Sequence, residues 1–88
     1  MTAPSPLDDA SLPNSIPELE AQMALLEEER RACEAEVRRL CETERPDEGI
    51  CFAQEIHQAR QRKLQLEVQK ELRRVRINRL RLDANSMF

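Results

Sequence analysis

Tryptophan and tyrosine are absent from this 88-residue chain, and Phe52 and Phe88 are its whole aromatic content. Large compact cores are usually built around aromatic bulk, so a thick globular core is excluded at the outset. Glycine occurs once, at Gly49, and no apolar run approaches the ~20 residues that a membrane-spanning helix needs. There is no CxxC pair, and three cysteines (Cys33, Cys41 and Cys51) cannot all bond within one chain. Residues 1–17 have neither the basic start nor the apolar run of a secretory leader. The expectation is a reducing compartment, cytoplasmic or nuclear, and a protein that is not secreted.

What is present is charge and aliphatic periodicity. Charged residues make up 35% of the chain, mean hydropathy is −0.70, and the net charge is only −3. Leu, Ala, Glu and Arg dominate, which is the composition of a coiled coil or long helix. Disorder is the competing reading of so polar a chain. Regularly recurring Leu, Ile and Val favour ordered helices instead.

Proline and the one glycine divide the sequence. Pro4, Pro6, Pro13 and Pro17 crowd the start, while Pro46 and Gly49 sit together near the middle. The division reads as a disordered tail (1–15), an acidic helix (16–45), a turn (46–49), a basic helix (50–83) and a C-terminal tail (84–88). Ser15-Ile16-Pro17-Glu18 fits a helix-capping box, and proline is harmless in a first turn whose amides have no intrahelical partner. Pro46 disfavours helical geometry at Arg45, so the first helix should end there or at Glu44. Asp47 is the candidate cap for the second helix.

Apolar residues of the first helix recur at Ile16, Leu19, Met23, Leu26, Cys33, Val37 and Leu40, alternating three and four apart except where Arg30 intervenes. That is a heptad seam. Carried through Pro46, it would reach Asp47, Cys51 and Gln54, yet the apolar positions that follow are Phe52, Ile56 and Ala59. Loss of phase at the Pro46/Gly49 break predicts a folded-back hairpin, not one continuous rod. Charge agrees, with nine acidic residues against five arginines in 16–45, and nine basic against four acidic in 50–83. Antiparallel packing sets these opposite charges along both flanks, which selects orientation more than it stabilises. The turn position puts Leu40 near Ile56, Val37 near Ala59, Met23 near Leu72 and Leu19 near Val75.

The expected fold is therefore all-α: a two-helix antiparallel coiled-coil hairpin with a disordered N-terminal tail, part of a larger helical assembly. In the second helix, Leu64, Val68, Leu72, Val75 and Leu82 gather on one face, and Leu66, Ile77 and Leu80 gather roughly 160° away. The first face, continuing Ile56 and Ala59, is expected to close the hairpin. Leu66, Ile77 and Leu80 are expected to face outward as the partner-binding stripe. Arg30, Glu44, Lys63, Lys70 and Arg73 interrupt the seam, and a core this thin predicts self-association or a helical protein partner.

Other sites are weaker. Cys33 and Cys41 stand two helical turns apart, roughly 12 Å, too far to share a metal ion without a bend. His57 has no serine near it, and two helices offer no cleft to desolvate a substrate, so neither cofactor, metal, small-molecule substrate nor catalysis is expected. Arg73, Arg74, Arg76, Arg79 and Arg81 form a basic patch of the kind that follows phosphates. An acidic chain without stacking aromatics makes pairing within the hairpin the better reading. Ser86-Met87-Phe88 has the form of a PDZ-binding tail. The functional expectation is a non-catalytic scaffold or adaptor of a cytoskeletal or trafficking complex, the alternatives being a nucleic-acid-binding helix or a hairpin read by a small GTPase. Heparin retention would mark the second, and nucleotide-dependent GTPase capture the third.

Overall fold

The computed structural model describes residues 11–85. Two helices, α1 (Ile16–Thr43) and α2 (Ala53–Asn85), are joined through a 3₁₀ turn at Pro46–Glu48. They pack side by side in an all-helical layer of 66 × 31 × 15 Å. A thickness of 15 Å is little more than one helix with its side chains, so each helix keeps an outer face.

Local chemistry sets the ends of α1. Ser15 is extended (φ −127°, ψ 118°), and its hydroxyl accepts the Glu18 N–H at 3.5 Å while its carbonyl accepts the Leu19 N–H at 2.9 Å. The serine half of the expected capping box is therefore in place, with Pro17 in the first turn. The helix leaves off at Thr43, close to the limit set by Pro46. The Thr43 hydroxyl donates to the Arg39 carbonyl, and the Arg45 guanidinium donates to the carbonyls of Glu42 and Glu44. The carbonyls of Glu42 and Glu44 are among the acceptors that a helix end leaves open.

The turn is longer than the four residues expected. Arg45 and Ile50 exchange both backbone hydrogen bonds at 2.9 Å, enclosing Pro46–Glu48 and Gly49. Gly49 closes it at φ +76°, a left-handed conformation that costs a side-chain-bearing residue about 1–2 kcal/mol. Asp47 is consumed inside this turn and does not cap α2, which starts at Ala53 and not at 50. Glu44 takes over that role: its carboxylate accepts the Phe52 N–H at 3.1 Å, where the positive end of the α2 dipole favours an anion. At the other end α2 continues through Asn85, so residues 84 and 85 are helical and not tail.

Buried apolar residues are spread along the layer. Leu40 and Ile56 are buried beside the turn, and Leu66 is buried midway. At the open end Leu12, Leu19, Leu72 and Ile77 form a cluster, with Ile16, Met23 and Leu80 packed on it. Leu12 corrects the expected tail at residues 11–15. It is 7% exposed, and Asn14 accepts a hydrogen bond from the Arg76 guanidinium at 2.5 Å. A leucine three residues ahead of the Ser15 cap can reach the exposed end of the seam, and its burial orders the segment. The rest of the expected tail, residues 1–10, lies outside the described residues.

Candidate functional site

α2 carries apolar side chains on opposite faces, and only one of them is used by the hairpin. The seam toward α1 runs through Phe52, Ile56, Ala59, Lys63, Leu66, Lys70, Arg73, Ile77 and Leu80, spaced four and three throughout. Leu66 is 1% and Ile77 5% exposed, and Leu80 is half-buried against the open-end cluster. This reverses the expected assignment of Leu66, Ile77 and Leu80 as the outward stripe. Leu64, at 63% exposed, and Val68, at 49%, were expected in the seam and instead face solvent, as does Leu82 at 67%.

The reason lies in three long cationic side chains. Lys63, Lys70 and Arg73, the interruptions of the seam, are themselves seam positions, whereas the purely apolar spacing of Leu64, Val68 and Val75 follows the opposite face. Such side chains lay their aliphatic stems along a seam while the charged head leaves it. Here the Lys70 ammonium reaches the Glu27 carboxylate at 2.6 Å, and the Arg73 guanidinium reaches the Gln22 side-chain oxygen at 2.8 Å. Extending the Phe52, Ile56, Ala59 spacing through those cations would have led directly to Leu66, Ile77 and Leu80.

Leu19 and Leu40 are buried, while Ile16, Met23, Leu26, Cys33 and Val37 are half-buried along α1. On α2, Ile56 is buried and Ala59 half-buried. Leu72 is buried as expected, but it sits between the two faces and is packed with Leu12. Val75 is half-buried.

Midway along the hairpin the seam is polar and paired. Glu27 takes hydrogen bonds from Arg30 (2.7 Å), Lys70 (2.6 Å) and Arg31 (3.1 Å), and Arg30 also reaches Glu34 at 3.2 Å. The hydrogen bond from Arg30, followed by that from Lys70, holds the Glu27 carboxyl well below the usual carboxylate range. Glu27 in turn raises the Arg30 guanidinium. Arg30, which interrupts the apolar seam, thus belongs to an ion-pair network centred on Glu27. Cross-helix pairs of Glu29 with Arg62 (3.1 Å) and Glu20 with Arg81 (3.8 Å) carry the same complementarity toward both ends.

Pairing also accounts for the basic patch. Arg73 bonds Gln22 and Gln69, Arg74 bonds Glu71, Arg76 bonds Asn14, and Arg81 faces Glu20. Arg79 likewise has an interaction partner. Arg74 lowers the Glu71 carboxyl through that hydrogen bond. Each arginine of the patch thus has an interaction partner.

Cys33 is half-buried in the seam, Cys41 and Cys51 are exposed, and all three are free thiols. His57 is exposed on α2. Among the described residues no three His, Cys, Asp or Glu side chains gather as a metal-binding group, and no helix is long and apolar enough to cross a membrane. Ser86, Met87 and Phe88 lie outside the described residues.

What stands out is the outer face of α2. At about 100° per residue, Leu64, Val68, Val75 and Leu82 fall within roughly 40° of one another, diametrically opposite Leu66 and Ile77. Leu64 and Val68 line a shallow groove of about 330 Å³ with Gln61, Gln65 and Gln69. Exposed aliphatic residues scattered singly, such as Leu25, are ordinary; a heptad-spaced stripe of them is not. Comparison with known proteins found no family model that matches the chain, and no curated protein or solved structure that resembles it.

Proposed function

We propose that this chain is a non-catalytic coiled-coil scaffold or adaptor subunit whose assembly surface is the outer stripe of α2. The observation that carries the reading is the pair of opposed apolar faces. The face through Leu66 and Ile77 closes the hairpin, so Leu64, Val68 and Leu82 contribute nothing to it while remaining in water. A helix needs one apolar face for one neighbour, and a second face at heptad spacing suits a second helix. The setting, a cytoskeletal or trafficking complex, follows only from what coiled-coil modules commonly serve. The proposed compartment is cytoplasmic or nuclear, where the three thiols stay reduced.

The test is the double variant Leu64→Ser/Val68→Ser. Its helicity should match the wild type, because neither residue closes the hairpin. Proteins or further copies recovered with the wild-type chain should be lost. Retention of the same set by a fully helical variant would overturn the assignment.

A further inference from the structure

The assembly reading leaves open what occupies the stripe, and here charge decides. We propose that the outer stripe of α2 pairs with the same stripe of a second copy, antiparallel, to form a flat four-helix layer with the two α2 helices at its centre. This rests on the outer stripe being an assembly surface.

The outer stripe forms its own heptad. Val68, Val75 and Leu82 stand seven apart at one core position, with Leu64, Glu71 and Asn78 seven apart at the other. Glu67 and Arg74 flank it on one side, and Gln65, Leu72 and Arg79 on the other. In a parallel pair each core residue meets its own copy, and each flank meets the opposite flank of its partner. Glu71 would then face Glu71 in the core, and Arg74 would lie beside Arg79 twice. Like charges so placed oppose association.

Antiparallel packing removes both conflicts, because each flank now meets the same flank of the partner. In the register that sets Leu64 against Val75, Val68 lies opposite Glu71, and Glu67 reaches Arg74 of the other copy, with every contact occurring twice. Arg74 already holds Glu71 on its own helix through Nε at 2.9 Å, and its guanidinium has further N–H groups for a second carboxylate. The Glu71 and Arg74 side chains are each about half exposed, so the Arg74 guanidinium on the flank remains within reach of a partner's carboxylate. The like-charged contact that remains, Arg60 against Arg81, falls at the two ends, in solvent. Shifting the register one heptad back brings Glu67 onto Glu67 and Arg60 onto Arg74. α1 lies on the far side of α2, and Leu12 packs on Leu72 on the flank away from Glu67 and Arg74.

The experiment uses the full chain with its three cysteines replaced by alanine, helicity being checked by circular dichroism. Leu64→Cys and Val75→Cys are made separately, mixed and oxidised, and sedimentation is followed in parallel. The expected result is a concentration-dependent dimer, a disulfide-linked product from the mixture, and none from either variant alone. Glu67→Lys should weaken the dimer roughly tenfold or more, and Glu67→Lys/Arg74→Glu should recover it. Self-linked Leu64→Cys in place of the mixed product means a parallel pair and overturns the proposal, as does a charge reversal without effect. A chain that stays monomeric at every concentration also overturns it. In that case a photo-cross-linker at position 64 that joins a different protein leaves the assembly reading standing, and one that joins nothing removes both.

Discussion

Truncating Leu66 and Leu64 to alanine, one at a time, separates the two faces of α2 by a large margin. The residues are two apart in sequence and alike in chemistry, yet Leu66 is 1% exposed and Leu64 is 63% exposed. Removing a leucine side chain from a closed site costs about 2–5 kcal/mol, because packing contacts are lost along with transfer free energy. A hairpin this small rarely holds more than roughly 3–5 kcal/mol in total, so Leu66→Ala should take away about two fifths of its stability or more. At about 4–8 °C per kcal/mol the melt falls by ~8 °C at the least, and the low end of the range leaves the chain partly unfolded at room temperature. Leu64→Ala should change the melt by no more than about 0.5 kcal/mol, provided it is recorded in dilute solution where association adds nothing. The assay is thermal circular dichroism at 222 nm on both variants. Equal shifts, or a larger one for Leu64→Ala, would refute the assignment of Leu66 to the seam.

Leu12→Ala should cost about 2 kcal/mol, the low end for a buried leucine near a chain end, and speed proteolysis ahead of Ser15; unchanged melting would remove its role as a clamp on Leu19 and Leu72. Gly49→Ala should cost about 1 kcal/mol through its positive φ alone, since nothing stands within 4 Å of an added Cβ; a larger loss in a denaturant melt would point to a clash. Acid should weaken the hairpin. The Glu27 carboxyl is lowered in the folded state, so its contribution is complete above the unfolded carboxylate range and disappears as pH falls through that range toward the lower folded value. Melting temperatures of Glu27→Gln should therefore fall less steeply with acid than those of the wild type, and identical slopes would contradict the network.

Much of the architecture was legible because its signals are local. Ser15 with Pro17, Pro46 with Gly49, and the α1 spacing from Ile16 to Leu40 mark a cap, a break and a seam without reference to anything distant. The closing face of α2 was misread because three of its positions are Lys63, Lys70 and Arg73, whose charges disguise seam residues. The acceptors of Lys70 and Arg73, Glu27 and Gln22, lie across the hairpin and more than forty residues away in sequence. Leu12 was hidden by its prolines: Pro13 and Pro17 mark irregular backbone, but irregular backbone still buries a leucine when a cluster stands within reach. The Glu44 carboxylate at the start of α2 was missed for a similar reason, since only the folded turn brings residue 44 to residue 52.

The central claim, that α2 closes the hairpin with one face and offers the opposite face for assembly, is tested most directly by site-specific photo-cross-linking. Benzoylphenylalanine is placed at 64 or 68 on the outer stripe of α2, and at Ala35, which is exposed on α1, in the full chain. The account predicts intermolecular adducts from 64 and 68 and none above background from 35. Adducts from all three positions alike, or from none, would contradict it.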